Sequence, residues 1–528
     1  MLYVSSWEST ALHCILSKRG SAIGVVIPVK RAPGRQGAAR LLFMVRRETF
    51  SSRWGLIVAG LGMAVGTGNL WRFPRIVAQN GGAAFLIPWL IFLFTWSVPL
   101  LIAEFGMGRG ARRGVVGAFA DLIGRRYAWM GGFIAVTSVM ILFYYSVVTG
   151  WTLKYVLASL AGQLDGAGAE QYWTRYSASI WQPLGFHAVS VLIAAVIISR
   201  GVVAGIERAN KVLIPVLLGL LIVAVVRAVT LPGAGRGLGF LFNPDLSLLW
   251  SYRTWLEALT QSAWSTGAGW GLILTYAVYL RRDEDVVVNA TAIGLGNNAV
   301  SVLAGMAIVP TAFAILPESQ ALEAMAAGNT GLTFIWIPQL FDRVPWGDVI
   351  LPLFFLALFC AALSSLIAMI ELATRILMDG GMARVTAVRW VAAATIVGGA
   401  PSAVSLTIFE NQDWVWGLAL MISGLFVALG ATRFGVRRFR EELVNVPGNE
   451  VHLGSGYEWV LSYLVPAEFT VMFGWWIYQA VAVINPSEWW HPIRTFSLGT
   501  CLLQWGFALA LLVAFNRRIA AASLRAPT

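Results

Sequence analysis

The sequence predicts an all-α integral membrane protein built from twelve transmembrane helices. Three observations lead there. Of the 528 residues, 58% are hydrophobic and only 12% charged, with a mean hydropathy of +0.72; soluble domains carry about twice that charged fraction. Twelve apolar runs lie near 54–79, 83–107, 129–160, 188–206, 209–230, 250–280, 286–316, 345–379, 383–407, 412–434, 459–485 and 496–518, and a helix of about 20 apolar residues crosses the hydrocarbon core of a bilayer. Lys and Arg are also distributed unevenly between alternate loops.

That unevenness sets the orientation. Arg109, Arg112, Arg113, Arg125 and Arg126 follow the second run, Arg433, Arg437, Arg438 and Arg440 the tenth, and Arg517 and Arg518 the last. Loops 161–187 and 317–344 are poor in basic residues. The positive-inside rule then places both termini in the cytoplasm; the expected location is the inner (plasma) membrane, with the lipid bilayer as partner. The net charge of +12 follows from this asymmetry. No basic patch interleaved with stacking aromatics lies outside the runs, so no nucleic-acid partner is expected. Many of the 24 tryptophans sit at run ends, where amphipathic rings favour the interface, but Trp264 and Trp270 fall mid-run.

Enzyme chemistry finds no support. Cys14, Cys360 and Cys501 are far apart, His13, His187, His452 and His491 fall in the N-terminal segment and loops, and no metal, redox or Ser/His/Asp spacing is present. Residues 1–43 contain no long apolar run. They read either as a cytoplasmic extension or as residues ahead of a start at Met44, whose "MVRRETFSSRWG" places basic residues directly before the first run.

The first run is interrupted. "GMAVGTGNLWRFP" (62–74) puts glycines, a threonine, an asparagine and an arginine where an apolar helix should continue. Alone, Gly62, Gly66 and Gly68 would suit a helix–helix packing face. The sixth run, however, carries "QSAWSTGAGWG" (261–271), again with glycines at mid-depth. Paired interruptions at corresponding positions of two five-helix halves mark an inverted-repeat transporter. Unwound backbone at that depth is tolerated only inside protein or against a cavity. There, free amides attract anions and free carbonyls hold cations.

The surrounding segments resemble bacterial members of the neurotransmitter:sodium symporter family, with its LeuT-type 5+5 inverted repeat and broken helices 1 and 6. The similarity rests on "GNLWRFPRIVAQNGGAAFLIPW" (68–89), "IAEFGMGR" (102–109), "FYYSVVTGWTL" (143–153), "RGVVAGIERANKVLIP" (200–215), "GFLFNPD" (239–245), "LTYAVYLRRDED" (274–285) and "AALSSLIAMIE" (361–371). It covers roughly 44–485, with the last two spans matching in outline only. The expected organisation is 44–240 as the first repeat, 241–440 as the second, and 441–528 as two further spans and a cytoplasmic tail.

The resemblance implies two sodium sites. The first would use Ala64, Asn69, Ser265, Asn297 and the substrate carboxylate; the second would use Gly62, Val65, Ala361, Ser364 and Ser365. Neutral oxygens suit a small hard cation. The substrate pocket it implies comprises Met63, Ala64, Gly66, Gly68, Ile141, Tyr145, Trp264, Ser265, Gly267, Trp270, Ser365 and Met369. Gly66 stands where amine transporters of the family carry an aspartate, so a substrate carboxylate is not replaced. The pocket holds no charged side chain, and an unpaired buried charge costs several kcal/mol; a neutral, apolar amino acid follows. Arg72 and Asp413 resemble the outer gate, and Arg47 and Asp379 the inner gate with Tyr279 nearby. Glu104 and Glu371 match buried structural acids.

Gln261, Ser265, Asn297 and Ser301 together resemble the family's chloride site, so Cl− joins Na+ as an expected ion. Chloride-independent relatives carry a carboxylate where this chain has Ser301. Trp89 departs from the tyrosine of chloride-using relatives. Ser301 as a packing serine, with compensation from Glu104 or Glu371, is the alternative. The function expected is sodium-coupled symport of a neutral amino acid. A symporter of a small osmolyte or amine, and a non-transporting amino-acid receptor, are the other readings; the oligomeric state is left open.

Overall fold

The computed structural model describes residues 48–166, 168–281 and 283–525. Among these residues every regular element is helical. Nine helices are long and apolar enough to cross a membrane, and two further pairs are so when taken together across a bend.

The first bent pair is α1 (Arg53–Ala64) and α2 (Gly68–Gln79), at 54°. Then follow α3 (Ala83–Ala111), α4 (Arg125–Leu160), α5 (Trp181–Ser199) and α6 (Val202–Val229). Two short helices, α7 (Tyr252–Ser265) and α8 (Leu272–Ala277), flank the second break. The remaining long helices are α9 (Val286–Ile315), α10 (Gly347–Asp379), α11 (Arg384–Val404), α12 (Leu406–Val444) and α13 (Ser455–Ile484). The second bent pair, α14 (Leu498–Ala514) and α15 (Asn516–Ser523), turns by 69°.

Local chemistry fixes the helix starts. Ser52 Oγ accepts from Gly55 N at 3.1 Å to cap α1, and Asp285 Oδ1 accepts from Val287 N and Val288 N at 2.8 and 3.0 Å to cap α9. A side-chain oxygen at this position satisfies amides that the first turn leaves without a carbonyl.

Burial sorts the helices into inner and outer sets. In α10, 83% of the apolar stretch is buried, against 33% in α6 and 28% in α13. α10 is therefore a central helix; it packs on α1, α4 and α6, while α12 packs on α4. Exposed apolar residues such as Leu192, Val212, Val471 and Phe507 fall on the outer helices, as a lipid-facing surface requires.

Most expected runs coincide with helices to within a few residues, but 188–206 lies across α5 (Trp181–Ser199) and the start of α6 (Val202–Val229), 209–230 begins inside α6, and 412–434 is only the middle of α12 (Leu406–Val444). The sixth run, 250–280, forms α7 and α8 separated by Thr266–Gly271, at the glycines that interrupt it in the sequence, and neither piece is long enough to cross alone. The twelfth run, expected to reach 518, bends at Phe515, where the side chain of Asn516, the first residue of α15, accepts from Trp129 N at 2.8 Å and donates to Arg125 O at 3.1 Å. Arg47 and residues 1–43 lie outside the described residues.

Candidate functional site

The two breaks are built differently. α1 ends where Val65 turns extended (φ −77°, ψ 97°), its N–H bonded to Leu61 O at 2.7 Å. Gly66 N then donates to Asn69 Oδ1 at 3.0 Å and Thr67 N to Tyr145 Oη at 3.2 Å. A Cβ on Gly66 would stand 2.8 Å from Tyr145 Oη and 2.9 Å from Ser365 Oγ. Glycine here lets two hydroxyls close on the backbone. The interruption thus falls at Val65–Thr67, within the glycine-rich stretch 62–74.

The second break needs left-handed backbone. Gly267, Gly269 and Gly271 have φ of 70°, 86° and 79°, conformations that cost other L-residues about 1–2 kcal/mol each. The fully buried Glu104 holds this loop, accepting from Gly269 N at 3.1 Å and Gly271 N at 2.5 Å. Ser138 Oγ donates to Trp270 O at 2.6 Å. A Cβ on Gly269 would stand 2.5 Å from Gly424 Cα, so the loop backbone rests on α12.

Between the breaks lies a cavity of about 600 Å³. All twelve expected pocket residues line it, as do Arg72 and Asp413. Trp264 and Trp270 meet edge to face at 6.0 Å, and the Arg72 guanidinium lies 5.0 Å over the Trp264 ring. Tyr144, Thr67 and Met421 also line the cavity and were not singled out in the sequence. Tyr144 was legible as the other half of the "FYY" pair.

Oxygens crowd at two points beside the cavity. At the first, Asn69 Nδ2 donates to Asn297 Oδ1 and to Ser301 Oγ, each at 2.8 Å. The same end of the Asn297 amide lies 3.2 Å from Ala64 O and 2.8 Å from Ser265 O. Two carbonyls facing an amide oxygen need either the amide turned over or a cation between them. At the second, Ser365 Oγ lies 3.3, 3.3 and 3.4 Å from the carbonyls of Gly62, Met63 and Val65. One hydroxyl proton cannot serve three acceptors. Ser364 Oγ donates to Ala361 O at 2.9 Å, and Ser364 Cβ lies 3.2 Å from where a Gly62 Cβ would be. Both clusters fit a cation by donor set.

Orphaned donors mark a third point. Gln261 is fully buried with neither amide atom bonded, and the buried Trp89 Nε1 has no partner. Ser301 Oγ donates to Asn297 O at 3.3 Å. Unsatisfied neutral donors are what an anion would meet.

The expected gates have other partners. Arg72 faces Trp264, with no direct ion pair to Asp413 among the described residues. Asp379 pairs with Arg375 at 2.7 Å and accepts from Gly114 N at 2.6 Å. Tyr279, expected beside Asp379, instead donates to Glu371 at 2.5 Å. Arg384 bridges both, lying 2.7 Å from Glu371 and donating to Tyr279 Oη at 3.0 Å. Arg375 was readable from its i,i+4 spacing to Asp379; Arg384 was not, because it reaches Glu371 from another helix.

Residues 47–182 and 184–520 match the family described as the sodium:neurotransmitter symporter family. The chain belongs to that family. It is similar to an uncharacterized sodium-dependent transporter of Methanocaldococcus jannaschii, 33% identical over 348 residues, 63% of this chain and 70% of the relative. It also resembles the sodium-dependent neutral amino acid transporter B(0)AT2 of Pongo abelii, 29% identical over 303 residues, 51% of this chain and 40% of the relative. Among solved structures, the crystal structure of MhsT in complex with L-phenylalanine superposes with a TM-score of 0.71 at 30% identity, covering 81% of this chain and 99% of that one. This symporter-family chain is therefore a multi-pass membrane protein of a sodium-dependent transporter family.

Proposed function

We propose that the chain is a twelve-span, 5+5 inverted-repeat symporter that carries a neutral, largely apolar amino acid inward with two sodium ions. The observation that carries this reading is the pair of oxygen clusters, at Asn69/Asn297/Ala64/Ser265 and at Ser365/Gly62/Val65, beside one cavity. The amino-acid carboxylate meets Tyr145, the Gly66–Gly68 amides and the first sodium. The ammonium meets carbonyls released at the breaks, and the side chain meets Met63, Ile141, Trp264, Trp270 and Met369. The relatives named for neutral amino acids and the phenylalanine complex of MhsT support that substrate class.

In this reading both termini are cytoplasmic and the protein sits in the inner membrane. Access alternates as one helix bundle rocks on the other. The Asp379–Arg375 and Tyr279–Glu371–Arg384 contacts close one end of the path while Arg72 and Asp413 stand apart at the other. Two sodium ions entering down a tenfold gradient and ~100 mV release about 7 kcal/mol, enough for a substrate gradient on the order of 10⁵-fold. Chloride, where bound, would be held by Gln261, Ser265, Asn297, Ser301 and the Trp89 indole, and would supply negative charge beside the sodium.

The test is uptake into proteoliposomes with and without an inward sodium gradient, in wild type and Asn69→Ala. A sodium requirement lost in the variant is the expected result; uptake that follows a proton gradient and ignores sodium contradicts it.

A further inference from the structure

Glu468 lies near the middle of α13, a carboxylate at mid-span depth on the least buried of the long helices. It is 9% exposed, and its Oε2 is buried with no hydrogen-bond partner. An ionisable group at that depth is costly unless something pairs with it, so its partner is the question it poses. Glu468 takes no part in the cavity described above.

It lines a separate cleft of about 540 Å³ between α3, α7 and α13. The cleft is otherwise apolar and aromatic. Phe92 and Trp255 meet edge to face at 6.0 Å on one side, and Trp250 and Tyr252, 92% and 64% exposed, form its outer edge. Val471, also exposed, opens it toward the lipid. Among the described residues, no Lys, Arg or His lines it. Glu468 meets the Thr95 hydroxyl but no cation, and a carboxylate without a cation in a cleft lined by aromatic rings is complementary to one kind of group, an ammonium, which the rings attract through their π faces and the carboxylate through its charge. The depth of Glu468 limits the carrier. A phospholipid ammonium is held at the headgroup level, whereas a single-chain amine dissolves in the bilayer and reaches mid-span.

We propose that this cleft is a lipid-facing binding site for a hydrophobic amine, with Glu468 as counter-ion. Its floor includes Leu256 and Leu259 of α7, the half-helix that ends at Trp264 and Ser265. An amine seated there braces α7 against α13 and so acts on the wall of the main cavity from outside.

The test does not depend on transport. The probes are dodecylamine and dodecanol, each with the same photoreactive diazirine on the chain, applied to the full chain in phosphatidylcholine vesicles. Crosslinks are mapped by mass spectrometry. The amine is expected to label peptides 249–259 and 464–471 about tenfold more than the alcohol, as one charge-assisted bond allows. In Glu468→Gln the amine should fall to the level of the alcohol. In Ala467→Phe, which fills the cleft and keeps the carboxylate, both labels should fall. Phosphatidylethanolamine included in the vesicles should not displace the amine. Equal labelling of wild type by amine and alcohol overturns the proposal even if neither variant folds. Amine labelling unchanged in a folded Glu468→Gln, or displaced by phosphatidylethanolamine, overturns it too.

Discussion

The Trp264 indole rests directly on Gly417 of α12: a Cβ at that glycine would meet Trp264 Cζ2 at 2.3 Å and Cη2 at 2.6 Å. The same ring lies under the Arg72 guanidinium and beside Trp270. The slot at Gly417 therefore keeps an oversized aromatic ring at the edge of the cavity.

Gly417→Ala should push the Trp264 ring into the cavity, an overpacking that costs about 1–3 kcal/mol. Uptake of phenylalanine should fall about tenfold relative to alanine. Trp264→Phe in the same chain should restore phenylalanine, because the smaller ring clears the new methyl group. Competition uptake with both amino acids, read in the two single variants and the double, checks this. A double variant no better than Gly417→Ala would show that the contact is only structural.

Ser365 is the hydroxyl around which the carbonyls of Gly62 and Met63 of α1 and of Val65 at the break gather. Ser365→Ala should raise the sodium concentration for half-maximal uptake about tenfold or more, since an ion-bound oxygen is lost from a buried site. Sodium titrations of uptake in wild type and variant measure it. An unchanged half-point would remove Ser365 from the ion site.

Each carboxyl oxygen of Glu104 accepts one backbone N–H, from Gly269 and from Gly271. Glu104→Gln keeps the shape but turns an NH₂ toward one of the donors. Stability should drop by about 1–3 kcal/mol, the cost of a buried N–H left without its acceptor. The midpoint of thermal unfolding in detergent reports it, and a midpoint equal to wild type would mean that the loop holds its left-handed glycines unaided.

Replacing chloride by gluconate should slow uptake, because Gln261 and Trp89 would keep unsatisfied donors next to bound sodium. Ser301→Glu places a carboxylate at the alternative position and should abolish that requirement. Wild-type uptake indifferent to gluconate rules the chloride reading out.

Much of this was legible in the sequence because the signals are long or paired. Runs of about 20 apolar residues can hardly be anything but membrane helices, and two glycine-rich interruptions in corresponding runs located the cavity wall before any coordinates. The residues that escaped reading act across distance. Tyr279 and Arg384 are 105 residues apart, and no local pattern links them. Gly417 reads as one more small residue in a membrane helix until Trp264 is seen against it. Glu468 lies where the family resemblance is only an outline, so its isolation shows in three dimensions alone. The break in the sixth run was legible because three of its glycines, Gly267, Gly269 and Gly271, take the positive φ that a continuous helix excludes.

The most direct measurement of the central claim is amino-acid uptake by the purified chain in proteoliposomes carrying an inward sodium gradient. We expect a neutral amino acid to accumulate against its own gradient, with accumulation collapsing when sodium is equal on both sides and in Asn69→Ala. Binding of the amino acid without net movement, or accumulation driven equally well with potassium in place of sodium, would contradict the account.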